Sequence, residues 1–226
     1  MARPDIAADA LRAITAIEAG GIAIMPMDVG YSLIGTQAQA LRTIFDTKRR
    51  SPSKLNAMLG DDEIQREIHI VDRRQSDIIR CITHDYDLPL GLIAPARLDH
   101  PMLRKLDPDA LARSTSDNTV LMLLNAGPFH REVTRLSLQK QMPLFGSSAN
   151  LSLSGTKFRV EDIEPDVRAI ADVTIDYGLR KYHAYKASST LIDIGSMRVV
   201  RYGSCFELIA DILSRHFDIV LPPPAG

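Results

Sequence analysis

Apolar stretches of strand length alternate with stripes of helical period along the whole chain, and this alternation restricts the fold more than any other feature. Residues 5–19 place Ile6, Ala10, Ile14 and Ile17 on one stripe, and Gly20 and Gly21 end that helix. A strand follows at 22–25, closed by Pro26, and the stretch Pro26-Met27-Asp28-Val29-Gly30-Tyr31 reads as a strand-to-loop corner. Thr36 and Gln39 have capping-box spacing and open a helix that turns Leu41, Ile44 and Phe45 inward. Strands are expected at 55–59, 90–94 and 119–124, and helices at 61–68, 72–84 and 129–141. Residues 99–118 read as a short helix among polar loops. Residues 143–145 lead into a small-residue loop over 146–154, then a helix near 165–171, strands at 173–176, 190–194 and 197–201, and a closing helix over 204–217.

Several successive strands lie too close together for a helical crossover, so the sheet should be mixed rather than purely parallel. The expected architecture is a single-domain α/β protein, a twisted mixed sheet with flanking helices. The domain occupies 1–210, and 211–226 hold the end of the last helix and a mobile Pro-rich tail.

The formal net charge is −1, so no global field draws in a polyanion and any anion site must be built locally from clustered cations. The two cysteines, Cys81 and Cys205, lack CxxC or metal-ligand spacing, and free thiols are expected. No metal site is read from the sequence. No segment has the length and apolarity of a membrane span, and the first residues lack a signal-peptide core, so a cytoplasmic location is expected.

Two segments point to an anionic ligand. Lys48-Arg49-Arg50-Ser51-Pro52-Ser53-Lys54 puts four cations at a helix end and the turn after it, with Arg forks beside Lys point charges. A solvated helix end would look the same. Gly146-Ser147-Ser148-Ala149-Asn150 follows an apolar strand, and its small residues allow close backbone approach while hydroxyls and an amide supply polar contacts. Its ordinary alternative is a Ser/Asn turn. Gly155-Thr156-Lys157 lacks the earlier glycine of a P-loop.

Taken in order, six segments resemble the YrdC/YciO-like family related to threonylcarbamoyl-AMP synthases: 26–35, Lys48-Arg49-Arg50, 119–123, Ser148-Ala149-Asn150, Ser189-Thr190 and Arg201-Tyr202-Gly203. Their order and spacing agree across roughly 21–203. The resemblance implies a YrdC-like fold and an ATP-dependent nucleotidyltransferase of tRNA threonylcarbamoyladenosine modification. ATP with Mg²⁺, bicarbonate and an amino acid or other acceptor would be its substrates. It also implies nucleotide or phosphate contacts for Lys48, Arg50, Lys54, Thr119, Ser148, Asn150, Ser189 and Arg201, with Thr156 standing in for a later Ser/Thr. These residues are expected to form opposite walls of one site.

The acceptor side departs from the family pattern. Met27 replaces a Thr, Leu123 an Arg, Leu59 a His, Gly146 a Ser/Thr and Gly91 a Thr; Tyr31 completes the expected substrate pocket. Replacing Arg by Leu removes a carboxylate's partner, and a carboxylate buried without a cation costs several kcal/mol. The reading is therefore an ATP-binding protein with an altered amino-acid pocket. Two alternatives stand beside it: a strict threonylcarbamoyl-AMP synthase, and a non-catalytic binder of double-stranded RNA or tRNA. The second would use the 48–54 cluster with Arg73, Arg74, Arg97, Arg104, Lys105, Arg180 and Lys181.

Overall fold

A computed structural model describes residues 3–49, 51 and 54–224. The chain forms α1 (Ile6–Glu18), β1 (Ala23–Met27), β2 (Gly30–Gly35), α2 (Ala38–Thr47), β3 (Ala57–Leu59), α3 (Asp62–Ile68) and α4 (Arg73–Arg80), which runs on into a π turn, Cys81–Asp85. There follow β4 (Leu90–Pro95), α5 (Pro101–Arg104), α6 (Pro108–Ala112), β5 (Thr115–Ser116), β6 (Thr119–Leu124), α7 (Pro128–Lys140) and β7 (Phe145–Ser148). The last elements are α8 (Pro165–Ala169), β8 (Val173–Thr174), β9 (Leu191–Asp193), β10 (Arg198–Arg201) and α9 (Phe206–Phe217).

The described strands join one sheet in the order β10-β9-β4-β6-β3-β7-β2-β1-β8, with β5 added to β6. The β3–β6, β4–β9 and β1–β8 pairs are parallel and the others antiparallel, which gives the mixed sheet expected from strand spacing. Side chains alternate across it. Met58, Met122, Leu33 and Phe145 point into the larger core, shared with Leu41 and Ile44 of α2, Ile78 and Ile79 of α4, and Ile209 and Ile212 of α9. Leu59, Leu123, Ile34 and Met25 point the other way, into a smaller core closed by Ala13, Ile14 and Ile17 of α1 and Phe129 and Val133 of α7.

Three local expectations give way. Pro26 does not end β1; it stands inside it, opposite Tyr31 of β2, so the apparent corner is a β-hairpin. The amide of Tyr31 donates to Lys157 O and its carbonyl accepts from Ala149 N. Pro26 and Tyr31 thus exchange no ladder bond, and a proline without a donor costs nothing there. The proposed loop over 146–154 begins as β7, a central strand between β3 and β2. Gly146 suits that position because a Cβ there would lie 1.9 Å from Leu33 O. The capping box at Thr36 does not form: Gln37 is the N-cap of α2 and makes no side-chain cap bond, while Gln39 Nε2 donates to Thr43 Oγ1. A capping box forms instead at α4, between Asp72 and Gln75.

At the C-terminus α9 runs unbroken across position 210, and Ile212, Leu213 and Leu221 beyond it are buried. Tyr202 Oη lies 3.2 Å from both Pro222 O and Pro223 O, so the described part of the tail is docked rather than loose. Cys81 and Cys205 are free thiols, as expected. Among the described residues no helix is long and apolar enough to cross a membrane.

Two buried histidines tie the fold to pH. His69 Nε2 donates to Val120 O and His130 Nε2 to Leu123 O, each at 3.1 Å, so both rings are held at carbonyls of β6. Burial lowers each to about 4 against an ordinary value of 6.5, and the carbonyl contacts only partly oppose it. The unfolded chain then binds more protons between those values, so stability is fully present above pH 6.5 and falls as pH drops toward 4. Each ring contributes on the order of 3 kcal/mol across that window. Urea unfolding between pH 7 and 4 should show this loss, and a His69→Gln/His130→Gln chain should show a much shallower slope.

Candidate functional site

Alternation within the sheet builds the floor of the site. Ala57 lies opposite Gly146, Gly146 opposite Ile34, and Leu59 beside Leu123, so these residues share one face. The α1 and α7 helices cover part of that face. A cavity of about 410 Å³ opens on it, with Ile34, Ala57, Leu59, Leu121 and Leu123 as an aliphatic floor. That volume lies in the range of small-molecule sites.

One wall comes from the end of α2 and the turn after β7. Lys48 is the C-cap of α2, and Arg49 follows with a left-handed φ of 52°. The Lys48 side chain, only 3% exposed, reaches the carbonyl end of β7. There Lys48 Nζ donates to Ser148 O, to Asn150 O and, at 3.1 Å, to Asn150 Oδ1. Ser148 Oγ donates to the same Asn150 Oδ1, and Ser152 N to Lys48 O at 3.1 Å. The two segments that sequence reasoning set on opposite sides are therefore bonded into one wall. A buried ammonium is tolerable only with such partners.

The loop after Asn150 is anchored a second time. Glu164 accepts from Leu151 N at 3.2 Å and pairs with Lys157 Nζ at 3.0 Å. Burial alone would raise this carboxyl, but bonds from Ser154, Lys157 and the Leu151 amide outweigh it and hold it at about 2. Between the two anchors Leu153 stands fully exposed at the cavity mouth with φ of 71°.

The facing side is carried by the segment before β9 and by the end of β10. Arg201 donates from Nε and Nη2 to Ser189 O at 3.0 and 2.8 Å, and from Nη2 to Ser189 Oγ at 3.3 Å. Nη1 takes no part in these bonds. With Arg49 and Lys54, both exposed, Arg201 forms a cationic rim. None of the three is in an ion pair among the described residues. Among the described residues no Asp or Glu lines the cavity. No group of three or more His, Cys, Asp or Glu among the described residues is placed to hold a metal ion.

Of the expected nucleotide-side residues, the cavity brings together Lys48, Lys54, Ser148, Asn150, Ser189 and Arg201. Arg50 lies outside the described residues. Thr119 does not line the cavity; its hydroxyl donates to Ser116 O at 2.7 Å. Thr156 packs instead over Gly30, where a Cβ would lie 2.3 Å from its methyl. Of the expected substrate-pocket residues, Leu123 and Gly146 line the cavity, as does Leu59. Met27 and Tyr31 do not. Met27 is buried in the smaller core, and Tyr31 Oη is held 2.8 Å from Gly178 O and 3.0 Å from Asp176 Oδ1. Burial pushes the Tyr31 hydroxyl up to about 12.

Asp28 beside them is buried against Arg180, 3.0 Å away, and over Gly127, whose φ of 102° leaves no room for a side chain. This pair fixes the β1–β2 turn to the segment after β8, and the Asp28 amide, donating to Ala126 O, fixes it to the residues before α7; neither serves the cavity. Sequence reasoning missed Ser32, Leu121 and Leu153. Ser32 was findable only with β2 in hand, because it lies opposite Ser148 in the ladder.

The family model for Sua5/YciO/YrdC, described as "Telomere recombination", matches residues 15–203, and the chain belongs to that family. Similar solved structures include P. abyssi Sua5 complexed with L-threonine, with 18% identity and a TM-score of 0.74 over 98% of this chain and 61% of that one. The chain thus spans about three fifths of that Sua5. E. coli YciO has 18% identity and a TM-score of 0.66 over 89% of this chain and 91% of that one. Full-length HypF in its phosphate- and nucleotide-bound form has 17% identity and a TM-score of 0.60 over 82% of this chain and 27% of that one. No curated protein matches. These structural likenesses, all under 25% identity, establish the YrdC-like fold.

The wall depends on the Lys48 ammonium. Lys48→Met would leave Ser148 O, Asn150 O and Asn150 Oδ1 short of a donor, at a cost of about 3 kcal/mol. The check is a lower urea midpoint at unchanged m-value. Lys48→Arg should not restore it, since a planar fork does not converge on three oxygens around one point.

Proposed function

We propose that the cavity binds ATP as its Mg²⁺ complex and that the chain is an adenylyl-transferring member of its family with an altered acceptor pocket. The observation that carries this reading is the rim of Arg49, Lys54 and Arg201 around a cavity lined by no acid. Charge-assisted bonds from Arg and Lys suit phosphate oxygens, and Ser148, Ser189 and Asn150 add neutral contacts. The nucleotide in the HypF structure supports the choice of ligand class.

The reaction asks little covalent work of the protein. An acceptor carboxylate or carbamate oxygen attacks the α-phosphorus, the bond to the β-phosphate breaks, and pyrophosphate leaves with its electrons. Catalysis then consists of placing the two oxygens in line and spreading the developing charge over the rim cations. Mg²⁺ would be held mainly by the phosphates.

Free threonine suits this cavity poorly because its floor is aliphatic at Leu123 and Leu59 and the wall carbonyls Ser148 O and Asn150 O already hold the Lys48 ammonium. RNA binding draws less support. Arg97 Nη1 donates to the carbonyls of Arg66, Glu67 and His69, and Arg180 pairs with buried Asp28, so two of its expected contacts serve the fold.

Titration calorimetry with Mg-ATP tests the proposal. Wild type should bind, and Lys54→Ala and Arg201→Ala should each weaken binding roughly tenfold, about 1.4 kcal/mol. Absence of heat at millimolar Mg-ATP would overturn it. Added threonine should change the ATP affinity less than twofold.

A further inference from the structure

The cavity shows an imbalance of charge and of oxygen atoms. Arg49, Lys54, Arg201 and the buried Lys48 all line the cavity, and no carboxylate does. The carbonyls best placed to accept from a ligand ammonium are Ser148 O and Asn150 O, and both already accept from Lys48 Nζ, as does Asn150 Oδ1. The wall therefore carries its own ammonium in its oxygen cage. A ligand's carboxylate meets cations and hydroxyls, whereas a ligand's ammonium meets like charge and occupied oxygens.

The floor adds a second requirement. Half-buried Ala57 and Leu121, with the edge of Leu123, present aliphatic surface from β3 and β6 above buried Ile34 and Leu59, and Gly146 of β7 keeps it open. At the mouth, Leu153 holds a fully exposed side chain on a loop pinned before it by Lys48 through Asn150 and after it by Glu164 through Lys157. An apolar ligand body on the floor would be covered by Leu153, removing two exposed apolar surfaces from water at once.

We infer that the acceptor is a short aliphatic monocarboxylate without an α-ammonium group, its carboxylate toward the rim cations and its chain between the floor and Leu153. This names the acceptor class within the proposed function, but it can be read without ATP. The probes are hexanoate, norleucine (the same chain with an α-ammonium), acetate and threonine, followed by saturation-transfer NMR and calorimetry on the full chain. Hexanoate should bind at least tenfold tighter than norleucine, acetate or threonine. Leu121→Asn and Leu153→Ser should each weaken hexanoate at least threefold, and Leu153→Ser carries no folding risk because that side chain is fully exposed.

Norleucine or threonine binding as tightly as hexanoate would overturn the inference, as would acetate matching hexanoate or no hexanoate binding at all. Hexanoate binding unchanged in both leucine variants would overturn it too. Hexanoate selectivity without Mg-ATP binding would support the acceptor class while striking the nucleotide reading alone. Mg-ATP binding without that selectivity would strike the acceptor class alone.

Discussion

The Lys48 ammonium lies where Ser148 O, Asn150 O and Asn150 Oδ1 converge, and much of the site follows from that contact. It joins the end of α2 to the turn after β7, elements 100 residues apart in sequence. It orders the turn that offers Ser148 and Asn150 to the cavity, and it removes those oxygens from a ligand's reach. A buried cation in so small a wall would be costly if its oxygens were missing, so lysine and turn are interdependent. The positive φ at Arg49 turns the chain away from α2 directly after this lysine.

From this wall the cavity acquires its polarity. Cations border it, aliphatic side chains floor it, and carboxylates are absent from its lining. Two acids beside this part of the sheet are engaged elsewhere. Asp28 is taken by Arg180 of the segment after β8, and Glu164 by Lys157 and the Leu151 amide. Each of these carboxylates fixes a loop, and neither offers a counter-charge to a bound ammonium. Family membership gives the fold, while the side chains at Leu59, Leu121 and Leu123 set what the floor accepts.

Helices with a clear apolar stripe were legible in the sequence. Ala10, Ile14 and Ile17 of α1 are buried as the periodicity requires, as are Ile78 and Ile79 of α4 and Ile209 and Ile212 of α9. The β6 strand matches its expected bounds, residues 119–124. What escaped were the strands around Pro26 and Gly146. Proline and small residues ordinarily signal a break in structure. Pro26 is tolerated because its ladder position needs no donor, and Gly146 is required because the next strand's backbone leaves no room. Losing β2 and β7 from the reading hid Ser32 and misplaced Met27 and Tyr31, whose side chains leave the cavity for the cores. Local residue type marked Lys48 and Asn150 as important, but only tertiary structure shows that they bond each other.

A crystal structure of the chain soaked with Mg-ATP would test the central claim most directly, because it shows both the wall and the rim. The account predicts phosphate oxygens within hydrogen-bond distance of Lys54 and Arg201, while Lys48 Nζ remains on Ser148 O and Asn150 O. A Lys48 ammonium that leaves this cage to meet the phosphates, or a nucleotide bound away from the aliphatic-floored cavity, would contradict it.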